Sequence, residues 1–383
     1  MATVEQIYQL VNDAKSEAFG EKAITAKDTG SLVSLGDFVL SSDTNIDAFY
    51  KALTDRIGKT VIAGRVFSIK DRSVKRDEME WGCIYQKISI KKHDAVANPS
   101  WNSETQASPY DIEIQSTLVQ KLFAKTGTWS YEDSIPSYQL YTAFTSAHAM
   151  DAVISLIYTN MENQLRIDEA DLANLAVGTN IAGVLIKGKD GQVRKLLSEY
   201  NTKFTKELTA DLALTDPDFL KFASREINLV VKNMEMPSLI YTAEDIPRFT
   251  PEDKMVVEIL AQFASATASY LESDTYHNEL VKLPRYEEVS YWQAPGTTFS
   301  FEDVSKINIT NEYLKTESNE AGTIEKGGII AFIHDYDSCA SIIYRRRDFS
   351  QFNPRSERMN VMMKAVTGYA VDLSENAVVF VLE

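Results

Sequence analysis

The longest regular hydrophobic pattern of the chain covers residues 146–178. Ser146 can accept a hydrogen bond at the start of a helix there, and Gly178 can end it. The pattern predicts one α-helix of about 30 residues, roughly 45 Å long, which is typical of a broad, thin molecule. Apolar side chains recur at steps of three and four residues, the spacing of one buried helix face, at Met150, Ile154, Ile157, Met161, Leu165, Leu172 and Leu175.

The region before this helix shows two shorter helical patterns. Residues 3–20 begin with Thr3 and Gln6 at the spacing of a capping box, and an apolar side that includes Ile7 and Leu10 follows. Residues 45–58 repeat the pattern with Ile46, Phe49, Leu53 and Ile57. Between them, residues 21–42 have no sustained period, so we expect an extended arm that lies on another surface.

Residues 71–136 change to the alternation of β-strands. Ile84, Ile88 and Ile90 alternate with polar residues, and after a polar tip the chain returns through Ile112 and Ile114. An isolated hairpin is marginally stable in water. The pattern therefore fits a long hairpin lying on a neighbouring copy of the protein, and it fits equally an ordinary sheet with a long loop.

The second half of the chain alternates strands and helices, which predicts a separate α/β unit. We expect a strand at residues 184–187, a turn at 188–191, helices at 192–208 and 217–233, and a further helix opened by Thr250 and Pro251. Nearly continuous apolar runs at residues 328–338, 339–346 and 376–383 indicate buried strands. We expect these last strands to return to the sheet in which the chain begins.

Composition limits the class of protein. The chain has 383 residues, a hydrophobic content of 44% and a net charge of −16, which argues against a surface that coats nucleic acid, because such a surface must be basic. The only cysteines, Cys83 and Cys339, lie in apolar contexts and indicate a reducing compartment. The sequence has neither a signal-peptide pattern nor an apolar run long enough for a membrane span, so we expect a cytosolic protein.

The sequence offers little catalytic chemistry. Its four histidines are not spaced as metal ligands, and the polar residues His334, Asp335 and Ser338 lie at a strand end, where such residues make turns. We therefore expect no catalytic residue, cofactor or metal. One basic cluster stands out, Arg345, Arg346 and Arg347. It is either a solvated face or a site for phosphate or for a partner's acidic surface, such as a neighbouring copy.

The order of these parts and several local phrases carry a family resemblance. The phrases lie at residues 48–62 (AFYKALTDRIGKTVI), 80–88 (EWGCIYQKI), 118–136 (LVQKLFAKTGTWSYEDSIP), 142–158 (TAFTSAHAMDAVISLIY) and 372–382 (DLSENAVVFVL). The chain resembles the major capsid proteins of tailed bacteriophages with the Hong Kong 97-type fold, most closely the short-tailed branch.

The resemblance implies an α+β Hong Kong 97-type capsid fold with defined parts. These are an N-terminal arm (1–60), a peripheral domain (61–70 and 113–186) with the spine helix 146–178, an extended β-hairpin loop (71–112), an axial α/β domain (187–335), and peripheral return strands (336–383). No scaffolding region precedes the arm and no immunoglobulin-like domain follows Glu383, so the resemblance implies a separate scaffolding protein. We find no Lys and Asn pair that would place a covalent crosslink.

The function implied is that of a structural protein without enzymatic activity. Copies would form hexamers and pentamers of an icosahedral or prolate shell around double-stranded DNA, with a portal and no membrane, in a virion assembled in the host bacterial cytoplasm. The alternatives are an encapsulin-like compartment of the same fold and an enzyme with an unrecognised site. The residues that we expect at subunit interfaces are Ile84, Ile88, Ile90, Ile112, Ile114, Arg345, Arg346 and Arg347.

Overall fold

The computed structural model contains helices and sheets in comparable amounts, so the fold class is α+β. It describes residues 4–20, 23–42, 44–46, 48–49, 52, 72–76, 85–90, 118–123, 126–136, 147–244, 246–271, 283–293, 298–311 and 322–383. The described helices are α1 (Val4–Phe19), α2 (Thr29–Leu40), α3 (Ala147–Lys187), α4 (Leu196–Phe204), α5 (Ala210–Ala213), α6 (Pro217–Met234), α7 (Ala261–Leu271) and α8 (Phe301–Val304), with a 3₁₀ turn at Glu252–Lys254.

The strands form two larger sheets and two hairpin pairs. The described strands are β1 (Lys75–Arg76), β2 (Tyr85–Ile90), β3 (Leu118–Phe123), β4 (Thr126–Pro136), β5 (Val193–Lys195), β6 (Met255–Leu260), β7 (Glu287–Val289), β8 (Ile307–Asn311), β9 (Gly322–Lys326), β10 (Ile329–Asp335), β11 (Cys339–Asn353), β12 (Arg358–Val371) and β13 (Ala377–Val381). The larger sheets have the orders β5-β13-β10-β6-β7 and β1-β11-β12-β4, and the pairs are β2-β3 and β8-β9.

The spine helix is longer than its pattern predicted. α3 continues to Lys187 and contains 41 residues, which corresponds to roughly 60 Å. The predicted end at Gly178 and the predicted strand at residues 184–187 are therefore wrong. Both helix glycines mark close packing instead, because a Cβ at Gly178 would lie 3.2 Å from Ile309, and one at Gly183 would lie 2.6 Å from Leu373.

The predicted apolar face of α3 is confirmed in its middle and wrong near residue 175. Met161 and Leu165 are buried, whereas Leu175 is 37% exposed. Over this last part Ala176 and Val177 take the buried positions, because the helix passes from the four-stranded sheet to a second core cluster. The side chains of Met150, Ile154 and Ile157 lie outside the described part of the chain.

The predicted extended arm at residues 21–42 is wrong, because most of it forms α2. Asp28 accepts a hydrogen bond from the backbone of Ser31 and closes a capping box, which stabilises a helix start. Leu32, Leu35 and Val39 are fully buried in the same cluster as α1. The helix at residues 3–20 is confirmed as α1.

Other boundaries changed as well. Ile46 and Phe49 are buried as predicted, whereas Leu53 and Ile57 lie outside the described residues. α6 confirms the helix at residues 217–233, but residues 193–195, predicted as helix, form β5. The helix predicted from Thr250 begins only at residue 261, because residues 255–260 form the buried strand β6. Periodicity alone does not separate a short apolar strand from a buried helix.

The last strand lies in a different sheet from the one predicted. β11 and β12 pair with each other, and β12 also pairs with β4, as expected of return strands. β13 instead pairs antiparallel with β10 and parallel with β5, so residues 377–381 complete the five-stranded sheet of the second unit. The expectation that all of the last strands return to one sheet is therefore wrong.

Candidate assembly surfaces

The hairpin formed by β2 and β3 is attached to the core by two lysines. Lys87 and Lys121 are direct cross-strand partners, so their side chains leave the same face. Lys87 Nζ lies 2.9 Å from Asp372 Oδ2 and Lys121 Nζ lies 2.8 Å from Asp372 Oδ1. Lys87 also pairs with Glu375 at 2.8 Å and Lys121 with Glu244 at 2.7 Å. We call these five residues the hairpin anchor.

Asp372 is held in place for this role by the turn between β12 and β13. Its carboxylate accepts hydrogen bonds from the backbone and the hydroxyl of Ser374, at 3.0 and 2.7 Å. Asp372 is 4% exposed. Two adjacent like charges on one hairpin face repel, so the anchor is stable only while the carboxylates face them.

The charges of the anchor shift one another's pKa values in the expected directions. Burial raises the pKa of the Asp372 carboxyl, but Lys87 and Lys121 outweigh burial and hold that pKa well below its usual range. Burial lowers the pKa of Lys87, and Asp372 and Glu375 more than compensate, so the pKa of Lys87 is raised. Asp372 and Lys87 are therefore charged at neutral pH.

The opposite face of the hairpin exposes two apolar side chains beside two glutamines. Ile88 is 61% exposed and Leu122 is 58% exposed. Ile88 is thus on the surface, as expected of an interface residue, and Ile90 lies in β2 opposite Leu118. The strand that pairs with β2 is residues 118–123, beyond the predicted return at Ile112 and Ile114. Ile84, Ile112 and Ile114 lie outside the described residues.

The hairpin covers one end of the outer face of the four-stranded sheet. Phe123 of β3 is buried against Ala340, Ile342 and Tyr344 of β11. The same face continues along β11, because Arg345 is the cross-strand partner of Val366, which packs against this cluster. In the part of the chain that the structure describes, Arg345 and Arg347 are exposed on this continuation. This continuation carries Arg345, Arg347, Phe349 and Lys364, and we call it the basic face.

The three predicted arginines do not share one face. Arg346 points to the inner side, where its Nη2 lies 2.8 Å from Glu162 Oε2 of α3. Burial lowers the pKa of Arg346, but Glu162 outweighs burial and raises it. Arg347 is exposed on the other side, directly opposite Lys364. The arginine cluster is thus divided between an internal ion pair and the basic face, a division that spacing alone did not reveal.

The hairpin anchor was not predicted from the sequence. Lys87 looked like an ordinary solvent-facing residue of an alternating strand, and its contact with Asp372 spans 285 positions of the chain. The only local signal was the Asp-x-Ser spacing of Asp372 and Ser374, which is typical of a turn that satisfies its own backbone.

The polar residues at the end of β10 form a buried turn. His334 Nδ1 lies 2.9 Å from the Asp335 carbonyl and 2.9 Å from Ser338 Oγ, and Asn180 of α3 donates to Ser338 Oγ at 3.0 Å. These bonds join α3 to the β10-β11 turn. No three His, Cys, Asp or Glu side chains of the described residues gather as a metal site, and none of the described helices is both long and apolar enough to cross a membrane.

Comparison with known proteins places the chain among capsid proteins. The family model for the Phi29-like phage major capsid protein matches residues 9–381. The curated major capsid protein of Bacillus phage GA-1 is 25% identical over 203 residues, which is 52% of this chain and 42% of that protein. The alignment therefore spans less than half the length of this curated relative.

Solved capsid structures share the fold. The capsid structure of Staphylococcus phage Andhra matches with a TM-score of 0.50 at 8% identity, over 85% of this chain and 90% of that chain. A chain in the structure of the head fibre and inner core protein of bacteriophage P68 matches with a TM-score of 0.48 at 12% identity, over 81% and 83% of the two chains. The Hong Kong 97-type α+β fold predicted from the sequence is confirmed.

Proposed function

Because the chain belongs to the Phi29-like phage major capsid proteins, we propose that it is the structural subunit of a phage capsid shell, joined to its neighbours through its hairpin and basic face. The observation that carries this proposal is the apolar pair Ile88 and Leu122, which the hairpin presents away from its own core. A two-stranded hairpin with an exposed apolar face is marginal in water, and a neighbouring copy would cover it.

The anchor supports the same role. The lysine contacts with Asp372 hold the base of the hairpin at a defined direction from the core, so every copy presents the hairpin in the same way. A closed shell requires repeated contacts of fixed geometry. Many such contacts, each modest, add up to a wall that resists pressure from inside.

The finer assignment follows from the family and from the charge of the chain. Copies assemble as hexamers and pentamers of an icosahedral or prolate shell, with a separate scaffolding protein and a portal. The net charge of −16 suits a container for double-stranded DNA, because an acidic wall repels the packaged polymer. Assembly takes place in the bacterial cytoplasm and the product is the virion. Nucleic acid inside purified shells would separate this function from that of an encapsulin-like compartment.

The test is a pair of substitutions on the hairpin. Ile88→Asp with Leu122→Asp should leave the circular dichroism spectrum and the melt of the subunit unchanged and abolish shells in electron micrographs, because both side chains are more than half exposed in the subunit. The matched control is Ile186→Asp with Phe299→Asp, at positions that are 44% and 68% exposed, and it should assemble. Normal shells from the hairpin variant would contradict the proposed contact.

A further inference from the structure

A basic groove lies between α4 and α6, far in sequence from the hairpin and the basic face. It encloses about 850 Å³. Its floor is aromatic, with Tyr200 and Phe222 buried and Phe204 50% exposed. The ring centroids of Phe204 and Phe222 are 6.0 Å apart, and Leu229, 43% exposed, adds an aliphatic wall. The groove therefore offers an apolar floor to whatever enters it.

The rim of the groove is positive. Lys221, Arg225 and Lys232 line it along one side of α6, at steps of four and seven residues, so they form one row about 16 Å long. Lys206 lies on the opposite side, where its Nζ donates a hydrogen bond of 2.8 Å to the Tyr200 hydroxyl. Asp218, 3.4 Å from Lys206, is the only carboxylate among the lining residues.

This arrangement is unfavourable in an isolated subunit. Lys221 and Arg225 are four residues apart on one helix, and like charges at this spacing destabilise the helix. No ion pair joins Arg225 or Lys232 to another residue in the part of the chain that the structure describes. A partner that supplies carboxylates would remove the repulsion, and a partner with an apolar side chain would also cover Phe204 and Leu229.

We propose that the groove binds an acidic, apolar-tipped segment of a second copy of this chain. The charge of the chain supports this occupant, since it has 55 acidic and 39 basic residues and a neighbouring copy therefore presents an excess of carboxylates. Segments with this chemistry are present on the described surface: Asp211 precedes Leu212, which is 58% exposed, and Glu235 precedes Met236, which is 67% exposed.

The contact rests on the assembly proposed above, but it uses a surface apart from the described part of the hairpin. It would be heterologous, because the groove of one copy receives a different surface of the next, and such contacts generate rings. The groove thus adds a second, electrostatic contact between copies to the apolar contact of the hairpin.

The first test reverses the row of charges. Lys221→Glu with Arg225→Glu and Lys232→Glu should lower the yield of shells about tenfold or more, with an unchanged melt of the subunit, because three attractive contacts become repulsive. The matched control, Lys27→Glu with Lys187→Glu and Arg285→Glu, makes the same change of net charge at exposed positions and should assemble normally. If the first variant does not fold, Lys221→Gln with Arg225→Gln replaces it and should also lower the yield.

The second test identifies the occupant. A photoreactive phenylalanine analogue at position 229, in shells made in cells that express the other head proteins of the phage, should crosslink to an acidic segment of another copy. The same analogue at position 186, which is equally exposed, should give no such product. Crosslinks to DNA or to another protein, or an equal yield from the charge-reversed variant and its control, would overturn the proposal. None of these outcomes bears on the hairpin contact, which is tested separately by the substitutions at Ile88 and Leu122.

Discussion

The two larger sheets of this protein differ in how their faces are covered. Every residue of β10 and β13 is buried, and the sheet that contains them has a core cluster on each side, with Phe380 in one and Phe332 in the other. Among the described residues, the larger core of the four-stranded sheet lies on its inner side, where α1, α2 and α3 pack. Its outer side is covered at one end by Phe123 and continues as the basic face.

The two sheets therefore differ in the role that we propose for them, the five-stranded sheet in folding of the subunit and the four-stranded sheet in assembly. The five-stranded sheet finds all its apolar partners within the chain, so it can be stable in a single subunit. In the described part of the chain, the four-stranded sheet exposes Arg345, Arg347 and Lys364 on its outer side, and we propose that this charged part contacts other copies. Positive side chains keep such a face soluble before assembly and reduce random sheet stacking, whereas an apolar face of this size would aggregate.

The largest difference should appear when one aromatic is removed from each sheet. Phe380→Ala should lower the free energy of unfolding by about 3–5 kcal/mol, because it leaves a cavity in a fully buried site. Phe349→Ala on the basic face should cost less than about 1 kcal/mol, since Phe349 is 47% exposed. Denaturant titrations of the two purified subunits check this. Equal losses would mean that the basic face is part of the folding core.

The hairpin anchor should give an intermediate effect. Asp372→Asn removes the carboxylate shared by Lys87 and Lys121 and should cost up to about 3 kcal/mol, less than for a fully buried pair because Lys121 is 28% exposed. Hydrogen exchange should rise in β2 and β3 and remain unchanged in β10. Asp337→Asn is the control, because its ion pair with Lys254 is largely exposed and worth at most about 1 kcal/mol.

Acid should loosen the hairpin before it unfolds the five-stranded sheet. The pKa of Asp372 is depressed in the folded protein, so its stabilising contribution is complete above the ordinary carboxyl pKa of about 3.9 and is lost as the pH falls from there through the depressed value. Exchange in β2 and β3, followed from pH 6 down to pH 2, should increase below about pH 4. Asp372→Asn should remove this step, and a step that persists in that variant would assign it to other groups.

The smallest effect on folding is expected on the basic face itself. Arg345→Glu with Arg347→Glu should change the melt of the subunit by less than about 0.5 kcal/mol, because exposed charges add little to stability, while the yield of shells falls and becomes less sensitive to salt. Arg346→Glu should do the reverse and destabilise the subunit, since it replaces the guanidinium that lies 2.8 Å from Glu162 Oε2 with a second carboxylate. Identical behaviour of the two variants would contradict the division of the arginines between two faces.

The elements that the sequence predicted well are those whose signals are local. The hydrophobic spacing of α1 and α6 predicted helix bounds that agree with the structure to within one or two residues, and the long period around Met161 and Leu165 predicted the spine helix. The errors occurred where local signals compete. A glycine at residue 178 indicates a helix end by itself, and only the packing of Ile309 against it shows why the helix continues.

The sequence by itself determined the α+β class, the spine helix and the family resemblance, because these depend on periodicities and phrases contained within short windows. It left a long hairpin and an ordinary sheet with a long loop equally open. Only the tertiary structure decided which sheet receives β13, that Lys87 and Lys121 meet at Asp372, that Arg346 and Arg347 lie on opposite faces, and that α4 and α6 enclose a basic groove. Contacts across 285 positions, such as that of Lys87 with Asp372, form when the sheets close on one another. Residue spacing along the chain does not predict such contacts.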